Sequence, residues 1–245
     1  SGIVMQTKTA LEIEHVTKIF PDGTKALEDI TFSAACGEFI LIAGSNGSGK
    51  SVLMSLIAGL DEPTSGKIFC GNEKAGLVFQ DADSQILGET PWEDVGFGAK
   101  NCGLKKDALK ERVTSSLAAV GLSEKMHCPA RLMSGGEKRR LAVAGILAMD
   151  RSIIIFDEPF ANLDWPGVRQ VCSILSELKK KKKTVIVLTH EIEKILALAD
   201  RFIVLDKGRI RFDGTPREGL EQPLENWSIR NPLVNYSSAE DMLWL

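Results

Sequence analysis

Apolar and polar residues alternate over the first forty positions, with Leu11, Ile13 and Val16 and then Leu27, Ile30 and Phe32 marking the apolar side. A period near two predicts half-buried strands, and Pro21-Asp22-Gly23 between the two runs supplies turn chemistry, so the chain is expected to open on antiparallel β-structure. From Glu38 the pattern changes. Phe39 to Ala43 is apolar throughout, and so are Ile153 to Phe156 and Val185 to Leu188. Buried runs of this kind, separated by helices, predict a parallel sheet covered on both faces.

Between residues of about 84 and 150 the strand signal is lost. Leu109, Val113, Leu117 and Val120 recur at helical spacing after the polar start Lys105-Lys106-Asp107, which predicts a helical subdomain inserted into the sheet. Another helix is predicted over Val168 to Leu178, and it runs into five consecutive lysines, Lys179 to Lys183. Cations at a helix C-terminus oppose the partial negative charge of its unpaired carbonyls, so this run reads as a solvated helix end rather than a nucleic-acid or lipid contact. Further on, Arg201 to Leu205 with the turn Asp206-Lys207-Gly208-Arg209 predicts a hairpin, and Thr215-Pro216 predicts a helix start with threonine as cap and proline just inside. The tail from Glu221 is broken by prolines and ends apolar at Met242, Leu243, Trp244 and Leu245, which predicts that this end docks against another surface.

With 44% hydrophobic and 26% charged residues the composition is that of a globular protein, which excludes the disordered and fibrous classes. Thirty basic against 33 acidic side chains leave a formal charge of -3, too balanced for a dedicated nucleic-acid coat. No run approaches the roughly 18 apolar residues of a membrane-spanning helix. Cys36, Cys70, Cys102, Cys128 and Cys172 are odd in number and contain no C-x-x-C pair, which fits neither a disulfide framework nor a zinc site and points to a reducing cytoplasm. His15 and His127 read as ordinary polar positions.

The chemistry concentrates in Gly44-Ser45-Asn46-Gly47-Ser48-Gly49-Lys50-Ser51, which fits G-x-x-x-x-G-K-[ST] directly after an expected strand and at the opening of an expected helix. Four fixed positions recur by chance in roughly one chain in a hundred of this length, and the strand-loop-helix setting lowers that further. Glycines let backbone N–H groups converge on phosphate oxygens at a helix N-terminus, Lys50 adds a point charge, and the Ser51 hydroxyl is suited to ligate Mg²⁺. The apolar run at Ile153 ends in Asp157-Glu158; beside a phosphate loop Asp157 is expected to hold Mg²⁺ through water and Glu158 to lie near the γ-phosphate. Ser134-Gly135-Gly136-Glu137, ahead of the helical segment Lys138 to Met149, has the S-x-x-E spacing of a capping box and as such requires no function.

Taken in order, these marks resemble the nucleotide-binding subunits of the ABC ATPase family, in which a phosphate loop, a helical subdomain ending in L-S-G-G-Q and a D-E strand follow one another. The signature here reads Met133-Ser134-Gly135-Gly136-Glu137 and departs at its first and last positions. Gln80 after Gly76-Leu77-Val78-Phe79, Ala161-Asn162-Leu163-Asp164 after the carboxylates, and His190 after the strand Thr184 to Leu188 complete the series, so the resemblance covers about residues 11 to 215. It implies an α/β fold, a P-loop NTPase core of the ABC ATPase type with a mainly parallel sheet, an N-terminal antiparallel β subdomain and an inserted α-helical subdomain. Residues 1–215 would form the ATPase domain, with the helical insertion at about 84–150, and 216–245 a C-terminal extension serving as a helical docking or dimer-contact segment.

The resemblance also implies ATP and Mg²⁺ as cofactors and a role for each matching residue. Phe20 would stack on adenine, and Gly44, Ser45, Asn46, Gly47, Ser48, Gly49, Lys50, Ser51 and Val52 would bind ATP. Ser51, Gln80 and Asp157 would serve the metal, Glu158 and His190 would be catalytic, and Asp164 would belong to the D-loop. Ser134, Gly135, Gly136 and Glu137 of one subunit would close over ATP held by another, which makes a dimer obligatory for hydrolysis.

Gln80-Asp81-Ala82-Asp83-Ser84-Gln85-Ile86-Leu87, followed by Glu93-Asp94-Val95-Gly96-Phe97-Gly98, resembles the Q-x-x-D-x-Q-[IL]-x…E-D-V-x-F-G pattern of energy-coupling-factor importers, whose ATPases drive vitamin and transition-metal uptake. Ser134 to Ala142, reading S-G-G-E-K-R-R-L-A, is similar to the same group. The implied partners are a second ABC ATPase subunit, a transmembrane coupling subunit docked at Asp83, Gln85 and Ile86, and a substrate-binding membrane protein. The implied location is the cytoplasmic face of the cell membrane, with no direct nucleic-acid contact. A soluble ABC ATPase acting on ribosomes or nucleic acid is the alternative, but such proteins usually join two ATPase units or insert a long coiled coil, and neither shows in this chain. A small-molecule kinase would leave the signature and His190 unexplained.

Overall fold

The computed structural model of the protein describes residues 8–71, 75–79 and 81–242. β1 (Thr9–Ile19) and β2 (Lys25–Ala35) form the expected antiparallel hairpin, turned at Gly23, whose N–H donates to the Phe20 carbonyl at 2.9 Å. Ile13 and Val16 both face inward although three residues apart, because the register shifts between them. His15 sits in that irregularity with φ 48°, and its Nδ1 lies 2.7 Å from Asp29. After β3 (Phe39–Ala43) and α1 (Lys50–Ile57), β4 (Ser65–Phe69) pairs with the other edge of β1 to complete a three-stranded sheet, β2-β1-β4. The hydrophobic pattern does not announce β4, since four of its five residues are exposed.

A second, six-stranded sheet is built from β3 with β5 (Gly76–Val78), β6 (Ile153–Asp157), β7 (Thr184–Thr189), β8 (Arg201–Asp206) and β9 (Arg209–Gly214). Its order is β5-β6-β7-β3-β8-β9, parallel throughout except for β9, which returns antiparallel to β8. Between β5 and β6 lie α2 (Pro91–Asn101), α3 (Lys106–Ala119) and α4 (Gly135–Ala148). α5 (Trp165–Lys180) connects β6 to β7, and the short α6 (Pro216–Leu220) follows β9.

The uniformly apolar strands are explained by two cores, one on each face of this sheet. Along β3, Phe39, Leu41 and Ala43 enter the core shared with Val113 and Leu117 of α3, Leu141 of α4 and Leu175 of α5. The alternate residues, Ile40 and Ile42, enter the core shared with Leu11 and Ile13 of β1, Leu27 of β2 and Leu53 of α1. β6, β7 and β8 divide their side chains in the same way. Burying one such side chain is worth about 1.5–3 kcal/mol, and slipping a strand by one residue would exchange its two sets, so both faces fix the register.

Capping extends two helices beyond their apolar spacing. Asp164 accepts from the Gly167 N–H at 2.9 Å with Pro166 in the first turn, so α5 starts before Val168. Ser134 and Glu137 cap α4 reciprocally, so it starts at Gly135 rather than Lys138. The lysine run is taken up locally: Lys179 pairs with Asp200 at 2.9 Å, Lys180 with Glu177 at 2.7 Å and Lys183 with Asp150 at 3.0 Å. Thr215 and Glu218 form a second capping box at α6. Beyond it Leu224 and Ile229 are buried in the helical core, whereas Leu233, Val234 and Met242 are exposed. Met242 therefore does not dock against this chain, and residues 243–245 lie outside the described residues.

The two-residue turn between β8 and β9 has both Lys207 and Gly208 in the left-handed region, at φ 48° and 74°. Gly208 donates its N–H to the Ser48 carbonyl at 2.9 Å and accepts from the Glu28 N–H at 2.8 Å, wedging the turn between β2 and the glycine-rich loop. A Cβ there would sit 2.6 Å from the Ala26 carbonyl oxygen. Gly208→Ala is expected to lower the unfolding free energy by about 1–3 kcal/mol, from backbone strain plus this clash, and urea unfolding followed by circular dichroism measures it.

Candidate nucleotide site

The carboxyl ends of the adjacent strands β6, β7 and β3 deliver three groups of residues to one edge of the sheet, the place where open α/β sheets bind ligands. From β3 the chain passes into the loop Gly44 to Gly49. A Cβ on Gly44 would lie 2.3 Å from the Ser48 hydroxyl, and one on Gly49, which has φ 107°, would lie 2.8 Å from the Ala26 carbonyl oxygen. Both positions thus require glycine, and the loop enters α1 with Lys50 as its first residue. The Lys50 ammonium is buried, donates to the carbonyls of Gly44 and Ser45, and stands 3.6 Å from the Glu158 carboxylate. Burial pushes its pKa below the usual lysine value, and the Glu158 and Asp157 charges oppose that shift.

Asp157 ends β6. Burial pushes its carboxyl above the usual range, the neighbouring Glu158 charge adds to this, and Lys50 works against it. Its Oδ1 is buried without a hydrogen-bond partner among the described residues. Glu158 is buried at φ 44° with its N–H bonded to the Leu188 carbonyl at 2.8 Å. Its carboxylate accepts from the Thr189 hydroxyl at 3.0 Å on one oxygen and lies 3.0 Å from His190 Nδ1 on the other.

Of these residues Gly49, Lys50, Asp157 and Glu158 border a cleft of about 570 Å³ that also takes in Asn46, Ser51, Val52 and the half-buried Phe20. The Lys18 ammonium lies 5.9 Å from the centre of the Phe20 ring. Lys25 and Lys207 line the same cleft and were not anticipated. In the sequence they are surface lysines beside turns, and only the seating of Gly208 on Ser48 brings Lys207 to the loop.

The other expected site residues lie elsewhere. Ser134 accepts from the Glu137 N–H at 3.2 Å, and the Glu137 carboxylate accepts from the Ser134 N–H at 3.0 Å. Lys125, bonded to Glu137, holds that carboxyl below its ordinary range, with the Ser134 N–H adding to the effect. Gly135 lines a separate depression with Asn162, beside Asp83, which pairs with Lys138 at 2.6 Å. Asp164 is spent on the cap of α5. Gln80 lies outside the described residues.

Gln85 turns inward, donating to the Leu77 carbonyl at 2.7 Å and accepting from the Phe79 N–H at 2.8 Å, so that it extends the pairing of β5 as a strand would. Ile86 packs against the helical core. The exposed apolar groups of this region are Leu87, 80% exposed, and Phe97, 50% exposed, which border one groove with Asp94 and Met149. Asp94 accepts from the N–H groups of Leu87 and Gly88 at 2.7 and 3.0 Å and so fixes the loop that presents Leu87.

Residues 27–161 match the sequence profile of the ABC transporter family. The chain belongs to that family. It is 37% identical to the cobalt import ATP-binding protein CbiO of Rhodobacter capsulatus over 91% of this chain and 86% of that one. It is 39% identical to the energy-coupling factor transporter ATP-binding protein EcfA2 of Caldanaerobacter subterraneus over 94% and 88% respectively. Among solved structures, cbiO1 from Clostridium perfringens, described as part of the ABC transporter complex cbiONQ, superposes with a TM-score of 0.81 at 32% identity, covering 92% of this chain and 96% of that one. The fold is accordingly that of an ABC ATPase, a domain that binds ATP.

Replacing Gln85 by alanine in this ABC ATPase would strand the Leu77 carbonyl and the Phe79 N–H. Gln85→Ala is expected to cost about 1–3 kcal/mol of stability, measurable by chemical unfolding of the purified chain.

Proposed function

We propose that this ABC ATPase is the ATP-hydrolysing subunit that powers a membrane importer of the energy-coupling-factor type, taking up a vitamin or a transition-metal ion through ATP-driven closure of a dimer. The observation that carries the mechanism is the division of the expected site. Lys50, Asp157 and Glu158 line one cleft and His190 pairs with Glu158, while Ser134 to Glu137 are not part of its lining. Each chain then supplies half of two composite sites, and a second ABC ATPase subunit supplies the other halves. The names of the relatives favour the importer class.

Phe20 offers its ring to adenine, and the N–H groups from Gly44 to Val52 with Lys50 receive the phosphates at the start of α1. Lys50 exchanges its carbonyl partners for phosphate oxygens. Glu158 orients or deprotonates the attacking water, and His190 bridges the γ-phosphate and the neighbouring subunit, so catalysis rests on positioning and charge stabilisation. Ser134 with the Gly135 and Gly136 amides completes the partner's phosphate cradle, while Glu137 holds that helix start in shape. Asp164 contributes from the D-loop.

The residues fit Mg²⁺. No group of three His, Cys, Asp or Glu able to hold a metal alone occurs among the described residues; Mg²⁺ beside a nucleotide takes phosphates and water as further ligands. The partnerless Asp157 oxygen suits such a cation, and Ser51, Asp157 and Gln80 would hold it. Bound Mg²⁺ would supply neutralisation of phosphate charge.

Residues 1–215 act as the ATPase domain with the helical insertion at about 84–150, and 216–245 as an extension for docking or dimer contact, in keeping with exposed Leu233 and Val234. No helix among the described residues is long and apolar enough to cross a membrane. In the importer reading the chain works peripherally at the cytoplasmic face, gripping a transmembrane coupling subunit, in keeping with a relative described as part of a transporter complex. Asp83, Gln85 and Ile86 shape that contact, with Leu87 and Phe97 as its apolar surface. A separate substrate-binding membrane protein sets specificity.

Glu158→Gln is expected to keep ATP affinity and lose at least about a hundredfold in turnover, trapping closed dimers detectable by size-exclusion chromatography; unchanged turnover would remove Glu158 from the role. For the importer reading, the tagged chain purified from native membranes should bring a polytopic membrane protein and a small membrane partner. Leu87→Asp with Phe97→Asp should abolish that recovery while ATP binding persists. Ribosomes or DNA-bound proteins in their place would overturn the importer assignment.

A further inference from the structure

Thr189 closes β7 with 0% of its surface exposed. Its hydroxyl accepts from the Glu191 N–H at 3.0 Å and bonds to the Glu158 carboxylate at 3.0 Å. A backbone N–H can only donate, so the single hydroxyl proton is committed to Glu158. The β-branched side chain is stiff about its first torsion, which fixes where the hydroxyl oxygen sits. Glu158 is thereby held by β7 at two places, its N–H on the Leu188 carbonyl and one carboxylate oxygen on Thr189. The other oxygen faces His190 Nδ1 at 3.0 Å and the Lys50 ammonium at 3.6 Å.

We propose that Thr189 is a positioning residue for hydrolysis: its hydroxyl pins one oxygen of Glu158 and so presents the other to the attacking water. This rests on the reading of Glu158 as the group that orients or deprotonates that water. The last torsion of a glutamate is broad and roughly two-fold, so without the hydroxyl the carboxylate is free to rotate away from the attacking water. Thr189 does not border the cleft, so its loss falls on the chemical step and leaves ATP binding intact.

The test compares the parent with Thr189→Val, Thr189→Ala, Thr189→Ser and Glu158→Gln in the complex recovered from membranes, reading kcat, KM and the binding of a fluorescent ATP analogue. The valine and alanine variants are expected to lose about ten- to a hundredfold in kcat, the range set by a hydrogen bond to a charged group, with KM and analogue affinity unchanged. Serine, which keeps the hydroxyl, should restore turnover. Alanine keeps the test open should the valine methyl prevent folding in so tight a site. Parental turnover in the valine or alanine variant, with Glu158→Gln inactive, overturns the role of Thr189 and leaves that of Glu158 standing. A loss that serine fails to restore also overturns it, because packing rather than the hydroxyl would be responsible. Parental turnover in Glu158→Gln instead removes the underlying assignment.

Discussion

Parallel pairing of three strands buried on both faces is the constraint from which the site follows. β6, β7 and β3 hold their registers because each sends alternate side chains into a separate core. Their carboxyl ends therefore stop in a row, and the polar residues placed there, Asp157 and Glu158, Thr189 and His190, and the loop from Gly44, have no apolar surface to share. Charge gathers where the apolar runs end. A buried ammonium and two carboxylates within one cleft are tolerable only as a mutually compensating set, which is why Lys50 sits on two carbonyls with Glu158 within reach.

Much of this was legible in the sequence for a physical reason. The two-sided strands reveal themselves as unbroken apolar runs, the capped helices as the S-x-x-E spacing at Ser134 and the Thr215-Pro216 start, and the phosphate loop as glycines at positions where a Cβ would collide with Ser48 or Ala26. What escaped is what local pattern does not encode. β4 is an edge strand whose exposed residues carry no alternation. Lys25 and Lys207 reach the cleft only because β2 and the β8–β9 turn are packed on the loop. The motif that contains Gln85 does not disclose that its amide serves the backbone of β5.

The two ends of the region between β5 and α2 are stabilised by different means. Gln85 ties its start to the sheet, and Asp94 ties its exit to the first turn of α2 by taking two amide protons. Leu87 lies between these anchors with 80% of its surface in solvent. Leu87 is thus presented from a segment tied at both ends, and β5, which carries the first tie, pairs with β6, the strand that ends in Asp157.

The left-handed backbone of Glu158 has a further consequence. A residue at φ 44° with a long side chain carries of order 1 kcal/mol of local strain that glycine would not, and that asparagine would feel less. On the role proposed for Glu158, conformational stability and chemical competence are opposed at a single residue. The strain is fixed by the β6 exit rather than by the carboxylate, so a glutamine inherits it unchanged, and the energy of that one peptide is indifferent to whether the protein can turn over.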